Sequence, residues 1–302
     1  MTHRQRAISG VAFLTLLTIA MMMGANHVAA RFAFDSGVDV VTAIAFRSVL
    51  TASVIALIVW QQRVPLLLTR QQQRHLPVIG LLIAVQSFCL YSAVARLPVV
   101  LALLAFNTYP ISTALWARLL YKQRPQREVL LVIPFILFGL ALALDVLGAA
   151  SGLSASAHWL DIGSGVAFAF AASLTFGLCL VITENETRGL DGRLRTLSTL
   201  GIVGLLAVAA ALSGDGFQLP NAPSGWWGLM LLTFLYGTAF TVMFTVLPKL
   251  GVVGNSAIMN VEPVFALLLA WALLGQSIAP MQVGGASLVV VSVMWLGLRK
   301  GK

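Results

Sequence analysis

The chain has 302 residues, of which 59% are hydrophobic and only 10% are Asp, Glu, Lys or Arg. Soluble domains average about 25% charged residues, so this composition excludes an ordinary soluble domain and indicates a protein that lies in lipid. The net charge of +9 does not indicate nucleic-acid binding, because the basic residues lie between apolar runs and not on one polar surface. We therefore expect the lipid bilayer, and no nucleic acid, as a partner.

The N-terminal residues and the two cysteines both fit a retained membrane protein. Arg4 and Arg6 precede an uncharged run that is too long for a cleaved signal peptide, so we interpret this run as the first span. Cys89 and Cys179 lie inside apolar runs, which favours buried small side chains over a disulfide or a redox role.

Ten apolar stretches, each with at most one charged residue, approach the length of about 20 residues that a helix needs to cross a bilayer. They cover residues 8–30, 40–60, 76–95, 99–120, 129–147, 162–183, 197–212, 226–247, 252–274 and 281–298. None alternates polar and apolar residues as a barrel strand does, and a backbone in lipid must satisfy its own hydrogen bonds. The sequence therefore predicts an all-α polytopic membrane protein with ten transmembrane helices.

The basic residues predict the orientation of these spans. They lie at the N-terminus and in every second loop, as Arg4, Arg6, Arg63, Arg70, Arg74, Lys122, Arg124, Arg127, Arg188, Arg193, Arg195, Lys249, Arg299, Lys300 and Lys302. The opposite side carries only Arg31 and Arg96. Since cytoplasmic loops are enriched in Lys and Arg, both termini are expected in the cytoplasm of a cell whose inner membrane holds the protein.

The chain contains an internal repeat. Residues 9–13, Ser-Gly-Val-Ala-Phe, recur as residues 164–168, and Asn107, Pro110 and Gln123 recur as Asn260, Pro263 and Gln276 at an offset of 153. Residues 1–150 and 151–302 are therefore predicted to be two five-helix repeats, joined by a short linker over 148–161. Because five spans is an odd number, the second repeat must be inverted in the membrane, as in many transporters.

Each predicted repeat has a proline inside a span, Pro110 in the fourth and Pro263 in the ninth. Proline removes one backbone hydrogen bond and clashes with the preceding turn, so both helices should break. Matched breaks in two inverted halves point to a central site. The alternative is that these prolines only shape the packing of the helices.

Two ionisable residues lie deep inside predicted spans, Glu262 next to Pro263, and Arg47 in the second span. Charges at this depth are costly and usually face a cavity or a partner. Glu262 could bind a substrate amine, take up a proton or pair with Arg47, and a purely structural ion pair is the alternative.

Other polar and aromatic side chains inside the spans are candidates for lining a substrate pathway. They are Asn26, His27, Gln86, Tyr91, Asn107, Tyr109, Tyr236 and Asn260. Interhelical hydrogen bonds and aromatic packing are the alternative roles, and for His27 a buried neutral imidazole is the alternative to a proton relay.

Motifs for other chemistries are absent from the sequence. It has no glycine-rich phosphate loop, no paired Cys or His spacing for a metal and no Gly-x-Ser-x-Gly elbow. We therefore expect no cofactor, no metal and no enzymatic activity.

Several segments resemble the drug/metabolite transporter superfamily, and within it the EamA-type permeases of ten helices in two halves. The resemblance rests on Gly24 with Asn26 and Arg31, on Phe46-Arg47, on residues 96–98 (Arg-Leu-Pro) and above all on residues 259–266 (Met-Asn-Val-Glu-Pro-Val-Phe-Ala). One departure is Gln276, where the family usually has glutamate. The resemblance implies export or exchange of small metabolites, commonly amino acids, with aromatic or other neutral ones favoured here.

The sequence thus predicts a secondary transporter that works by alternating access on a small-molecule substrate. Two alternatives stay open: a membrane-embedded enzyme acting on a lipid-soluble substrate, and a non-transporting receptor or assembly protein. Substrate identity, transport direction and energy coupling are not determined by the sequence, and neither is the choice between a monomer and a homodimer.

Overall fold

In a computed structural model of the chain, the described residues are 10–123, 127–145, 155–245, 261–276 and 279–299. Within these ranges the chain is helical with short connections and contains no strand. Asn260, one of the candidate site residues, lies outside them. The helices are α1 (Gly10–Asp35), α2 (Val40–Gln61), α3 (Arg70–Arg96), α4 (Val99–Phe106), α5 (Tyr109–Tyr121), α6 (Arg127–Ala143), α7 (Ala155–Glu186), α8 (Gly192–Ser213), α9 (Pro223–Thr245), α10 (Glu262–Leu274) and α11 (Pro280–Arg299).

The described helices include seven stretches that are long and apolar enough to cross a membrane. They lie in α1, α2, α3, α7, α8 and α9, and in the combined stretch Val99–Tyr121, which spans α4 and α5. Three shorter apolar stretches, Leu130–Ala143, Glu262–Leu274 and Pro280–Trp295, lie in α6, α10 and α11. Length and hydropathy therefore support a multi-pass membrane protein.

The helices α3 and α8 begin before their apolar runs, and polar side chains cap their first turns. At the start of α3, the Thr69 hydroxyl accepts from the Gln72 amide and the Gln72 side chain accepts from the Thr69 amide. At the start of α8, Asp191 accepts from the backbone N–H of Arg193. The Arg193 guanidinium also bonds Asp191 and holds the pKa of this carboxyl below its usual value.

The prediction of a linker over 148–161 is wrong for the second part of that segment, because α7 already begins at Ala155. Alanine and serine dominate residues 154–157, and alanine has the highest intrinsic helix propensity. The first part of the segment, 148–154, lies outside the described residues.

The contacts between helices are symmetric under exchange of the two halves. The most extensive contacts pair α3 with α7 and α1 with α9, which are equivalent when α1–α3 are superposed on α7–α9. In the same way, α5 packs on α7 as α10 packs on α1, while α2 packs on its counterpart α8 and α6 on α11. In the part of the chain that the structure describes, the helices of the two repeats therefore pack on each other through equivalent pairs.

The short helix α4 lies in the interior of this bundle. All its residues from Val99 to Ala105 are buried, and it contacts α1, α3, α6, α7, α10 and α11. The end of α4 therefore lies inside the protein, away from lipid.

Two glycines at the same repeat position hold the halves in backbone contact. A Cβ added at Gly24 in α1 would lie 2.9 Å from the Glu262 carbonyl oxygen and 3.0 Å from the Ala266 nitrogen in α10. At Gly177 in α7, an added Cβ would lie 2.7 Å from the Thr113 nitrogen in α5. Small residues at such crossings let helices approach closely in membranes.

We predict that Gly177→Ala destabilises the protein by about 1–3 kcal/mol, because the methyl group forces α5 and α7 apart. Gly201→Ala in α8 is the matched control, since no atom lies within 4 Å of its added Cβ and the higher helix propensity of alanine should stabilise α8 slightly. Thermal unfolding of both purified variants in detergent measures the difference, and equal melting temperatures would contradict the proposed close contact.

Candidate functional site

The fourth predicted span is interrupted between α4 and α5. The Asn107 side chain donates to the Leu103 carbonyl (2.9 Å), and the Thr108 hydroxyl donates to the Ala105 carbonyl (2.8 Å). Pro110 lies in the first turn of α5, where its missing N–H is tolerated. Since the same two carbonyls also accept from the backbone N–H groups of Asn107 and Thr108, the polar side chains add second donors at the break.

The second half repeats the start of α5 in α10, which begins at Glu262 with Pro263 in its first turn. Both α5 and α10 have 13 residues, and they end at residues with positive φ, Lys122 (+54°) and Gly275 (+64°). The repeat offset of 153 thus holds from the first residue to the cap. In place of the phenol of Tyr109, however, α10 carries a carboxylate at its first residue.

This carboxylate contacts a histidine of the first half. His27 Nε2 lies 3.2 Å from the Glu262 carboxylate, and the side chains are 3% and 21% exposed, respectively. The Glu262 carboxylate also lies at a helix N-terminus, where the helix dipole favours a negative charge. The alternative that Glu262 pairs with Arg47 is wrong for this structure, because no ion pair among the described residues joins them.

Arg47 lies between two tyrosines and has no carboxylate partner within the described ranges. Its guanidinium carbon is 4.3 Å from the centre of the Tyr91 ring and 4.1 Å from that of Tyr236. Its Nη1 donates to the Tyr91 hydroxyl at 3.1 Å. The electron-rich ring faces attract the buried cation, an interaction worth about 2 kcal/mol or more when it is desolvated.

Tyr91 connects Arg47 with the pair formed by His27 and Glu262. Its hydroxyl donates to Asn26 Oδ1 (3.2 Å), and its ring meets the His27 imidazole edge-to-face with centroids 5.9 Å apart. Five helices, α1, α2, α3, α9 and α10, therefore bring together six predicted site residues. We call this set the central cluster: Asn26, His27, Arg47, Tyr91, Tyr236 and Glu262.

Four buried polar atoms at or beside the central cluster have no hydrogen-bond partner among the described residues. They are Asn26 Nδ2, His27 Nδ1, Arg47 Nε and Ser48 Oγ. Each unsatisfied buried group costs about 1–3 kcal/mol, and such groups are rare in folded proteins. Three of the four belong to residues of the central cluster, and such a group of unsatisfied atoms is typical of a site that binds a polar ligand.

Two other predicted residues, Tyr109 and Gln86, lie outside the central cluster. Tyr109 packs against Phe106 and, edge-to-face, against Phe176, at centroid distances of 5.6 and 5.1 Å, and lies within electrostatic range of Glu262. Gln86 is buried in α3, about one and a half turns before Tyr91, and accepts from Ser87 at 3.4 Å.

Two residues beside the central cluster were not among the predicted ones. Ser48 carries one of the unsatisfied atoms, and Phe240 packs on Tyr236 with ring centroids 4.3 Å apart. Serine and phenylalanine are both common in apolar helices, so only their positions, next to Arg47 and one turn from Tyr236, could have indicated them.

Tyr91→Phe should destabilise the protein by about 1–3 kcal/mol, because both Arg47 and Asn26 lose a buried hydrogen-bond partner. Tyr236→Phe is the matched control, since it keeps the ring beside Arg47 and removes a hydroxyl with no hydrogen bond to the described residues. The measurement is thermal unfolding in detergent, and a Tyr236→Phe variant as unstable as Tyr91→Phe would contradict this assignment.

Comparison with known proteins identifies the family of this chain. The EamA-like transporter family matches the chain twice, over residues 10–144 and 163–298. A solved structure described as "Crystal structure of protein" matches 97% of this chain and 99% of its own, with a TM-score of 0.60 at 17% identity, which shows likeness of fold. Comparison with curated proteins gives no significant match. Since the two family matches together take in most of the sequence, this multi-pass membrane protein belongs to the EamA-like transporter family.

Proposed function

We propose that this chain is a secondary transporter that exports or exchanges small metabolites, most favourably amino acids, across the inner membrane by alternating access. The observation that carries the proposal is the central cluster, which places a cation, a carboxylate and unsatisfied polar atoms inside a bundle of apolar helices. Ionisable groups at such depth mark substrate and ion pathways in membrane proteins.

The chemistry of the central cluster fits a substrate with two opposite charges. Glu262 lies at the more accessible end, where its carboxylate offers an acceptor for an amine. Arg47 offers a guanidinium, and no carboxylate of the described residues pairs with it. An amino acid carries both complementary groups, and the aromatic rings of Tyr236, Phe240 and Tyr109 offer contact area for an apolar side chain.

The symmetry of the bundle supports movement between two states. We propose ten spans in two inverted five-helix halves, residues 1–150 and 151–302, with both termini in the cytoplasm. The halves interlock by equivalent contacts, so a rocking motion that opens one side of the bundle has a mirrored counterpart that opens the other. The central cluster draws on helices of both halves and would take part in either state.

The topology predicts labelling from opposite faces of the membrane. In a Cys89→Ala, Cys179→Ala background, cysteine at Ser277 should react with a membrane-impermeant maleimide added to intact cells. Cysteine at Lys122, its counterpart near the repeat offset, should react only after permeabilisation, because its loop is basic and is expected in the cytoplasm. Labelling of both positions in intact cells would contradict the inverted arrangement.

Transport itself is tested with purified protein in liposomes and a panel of labelled amino acids. We expect saturable flux of at least one amino acid. Glu262→Gln should lower this flux by about tenfold or more, because the amine of the substrate would lose its charged hydrogen-bond acceptor. Glu184→Gln, at an exposed position near the end of α7, is the matched control and should transport normally.

Two outcomes would count against this function. Absence of flux or exchange across the panel would remove the assignment of amino acids as substrates. If Glu262→Gln left both the flux and its pH dependence unchanged, Glu262 would neither bind the substrate nor carry a proton.

A further inference from the structure

We propose that Arg47 and Asn26 together form a subsite for the carboxylate of the substrate, with the amine end directed toward Glu262. This inference deepens the proposed transport function and rests on it. It follows from the direction of two hydrogen bonds that meet at one phenol.

The hydroxyl of Tyr91 has a single proton, so its two hydrogen bonds have a fixed direction. Arg47 Nη1 can only donate, so the Tyr91 oxygen is the acceptor of the first bond. The Tyr91 proton is then free to be donated to Asn26, whose Oδ1 accepts it. The guanidinium therefore fixes the orientation of the Asn26 amide through the phenol.

The fixed amide determines what the site presents to a ligand. With Oδ1 of Asn26 engaged, its remaining polar group is the Nδ2 donor, which is buried and has no acceptor among the described residues. Arg47 Nε is a second buried donor without a partner in the described ranges, on the side chain that Tyr91 links to Asn26. Both side chains are more than nine-tenths buried, at 0% and 4% exposure. Two unsatisfied donors joined by one phenol call for a ligand group that only accepts hydrogen bonds.

The positive charge of Arg47, unpaired within the described residues, indicates that the ligand group is an anion. The four ion pairs of the described residues leave Arg47 without a carboxylate, while Glu262 contacts His27. The rings of Tyr91 and Tyr236 attract the cation but supply no oxygen to Nε. A carboxylate has two oxygens, one for each donor, and guanidinium groups bind carboxylates with charge-assisted hydrogen bonds.

The position of Glu262 sets the orientation of the bound substrate. Its carboxylate belongs to α10, in the second half, whereas Arg47 belongs to α2 and Asn26 to α1, in the first. A zwitterion that lies with its carboxylate on Arg47 and its amine toward Glu262 therefore connects the two halves. This geometry ties substrate binding to the relative position of the halves.

The test compares ligands that differ only in the head group. The probes are L-leucine and L-phenylalanine, their amides, and the amines 3-methylbutylamine and 2-phenylethylamine. We expect binding to the detergent-purified wild type, measured by calorimetry, to be at least about tenfold tighter for the acids than for the matched amides and amines. Because the ligand is varied and the protein is not, this comparison does not depend on how a variant folds.

An isosteric variant tests the donor directly. Asn26→Asp keeps the oxygen that accepts from Tyr91 and replaces the Nδ2 donor with an acceptor, so it should fold while losing the preference for acids. Asn221→Asp, in the exposed loop before α9, is the matched control and should keep this preference. Thermal unfolding confirms that both variants are folded.

The outcomes separate this inference from the function on which it rests. If amino acids are transported but the amides bind as tightly as the acids, or Asn26→Asp keeps the preference, the carboxylate subsite is overturned and the transport function stands. If no amino acid of the liposome panel is transported and neither acid binds, both the carboxylate subsite and the amino-acid transport function are contradicted.

Discussion

A polar group inside lipid must find its partner within the protein, and the buried guanidinium of Arg47 is the severest case of this constraint here. The structure meets it with two tyrosine rings and one phenolic oxygen. Because these come from α3 and α9, the second helix is tied to one helix of each half. The same phenol orients Asn26, so one cation organises a large part of the central cluster.

The features that match between the two repeats belong to the helical scaffold, and residues that differ between the repeats carry the ionisable groups of the site. The helices α5 and α10 agree in length, in the position of proline and in their left-handed caps. Their first residues differ, tyrosine in one and glutamate in the other. Likewise, Arg47 in α2 corresponds to Ile202 in α8 at the offset of 155 that residues 9–13 show. A symmetric bundle therefore encloses an asymmetric site.

Much of this organisation could be predicted from the sequence, because membrane spans and repeats leave strong signals in hydropathy and spacing. The helical fold, the repeat and membership of the EamA family all follow from such signals, and the family is confirmed. The partners of individual side chains could not be predicted in this way. Nothing in the spacing of His27 and Glu262 shows that they meet, because their contact depends on how closely α1 approaches α10. The start of α7 was missed because residues of high helix propensity extend this helix beyond its apolar run.

That close approach is set by Gly24, where α1 and α10 come into backbone contact with no side chain between them. Two helices in such contact can roll or tilt about it, but they cannot move nearer to one another. His27 lies only three residues from this point, and Glu262 contributes the carbonyl that forms it. If the halves rock as proposed, this crossing is the pivot: the distant helix ends move far, while the imidazole and the carboxylate beside the pivot keep nearly the same separation.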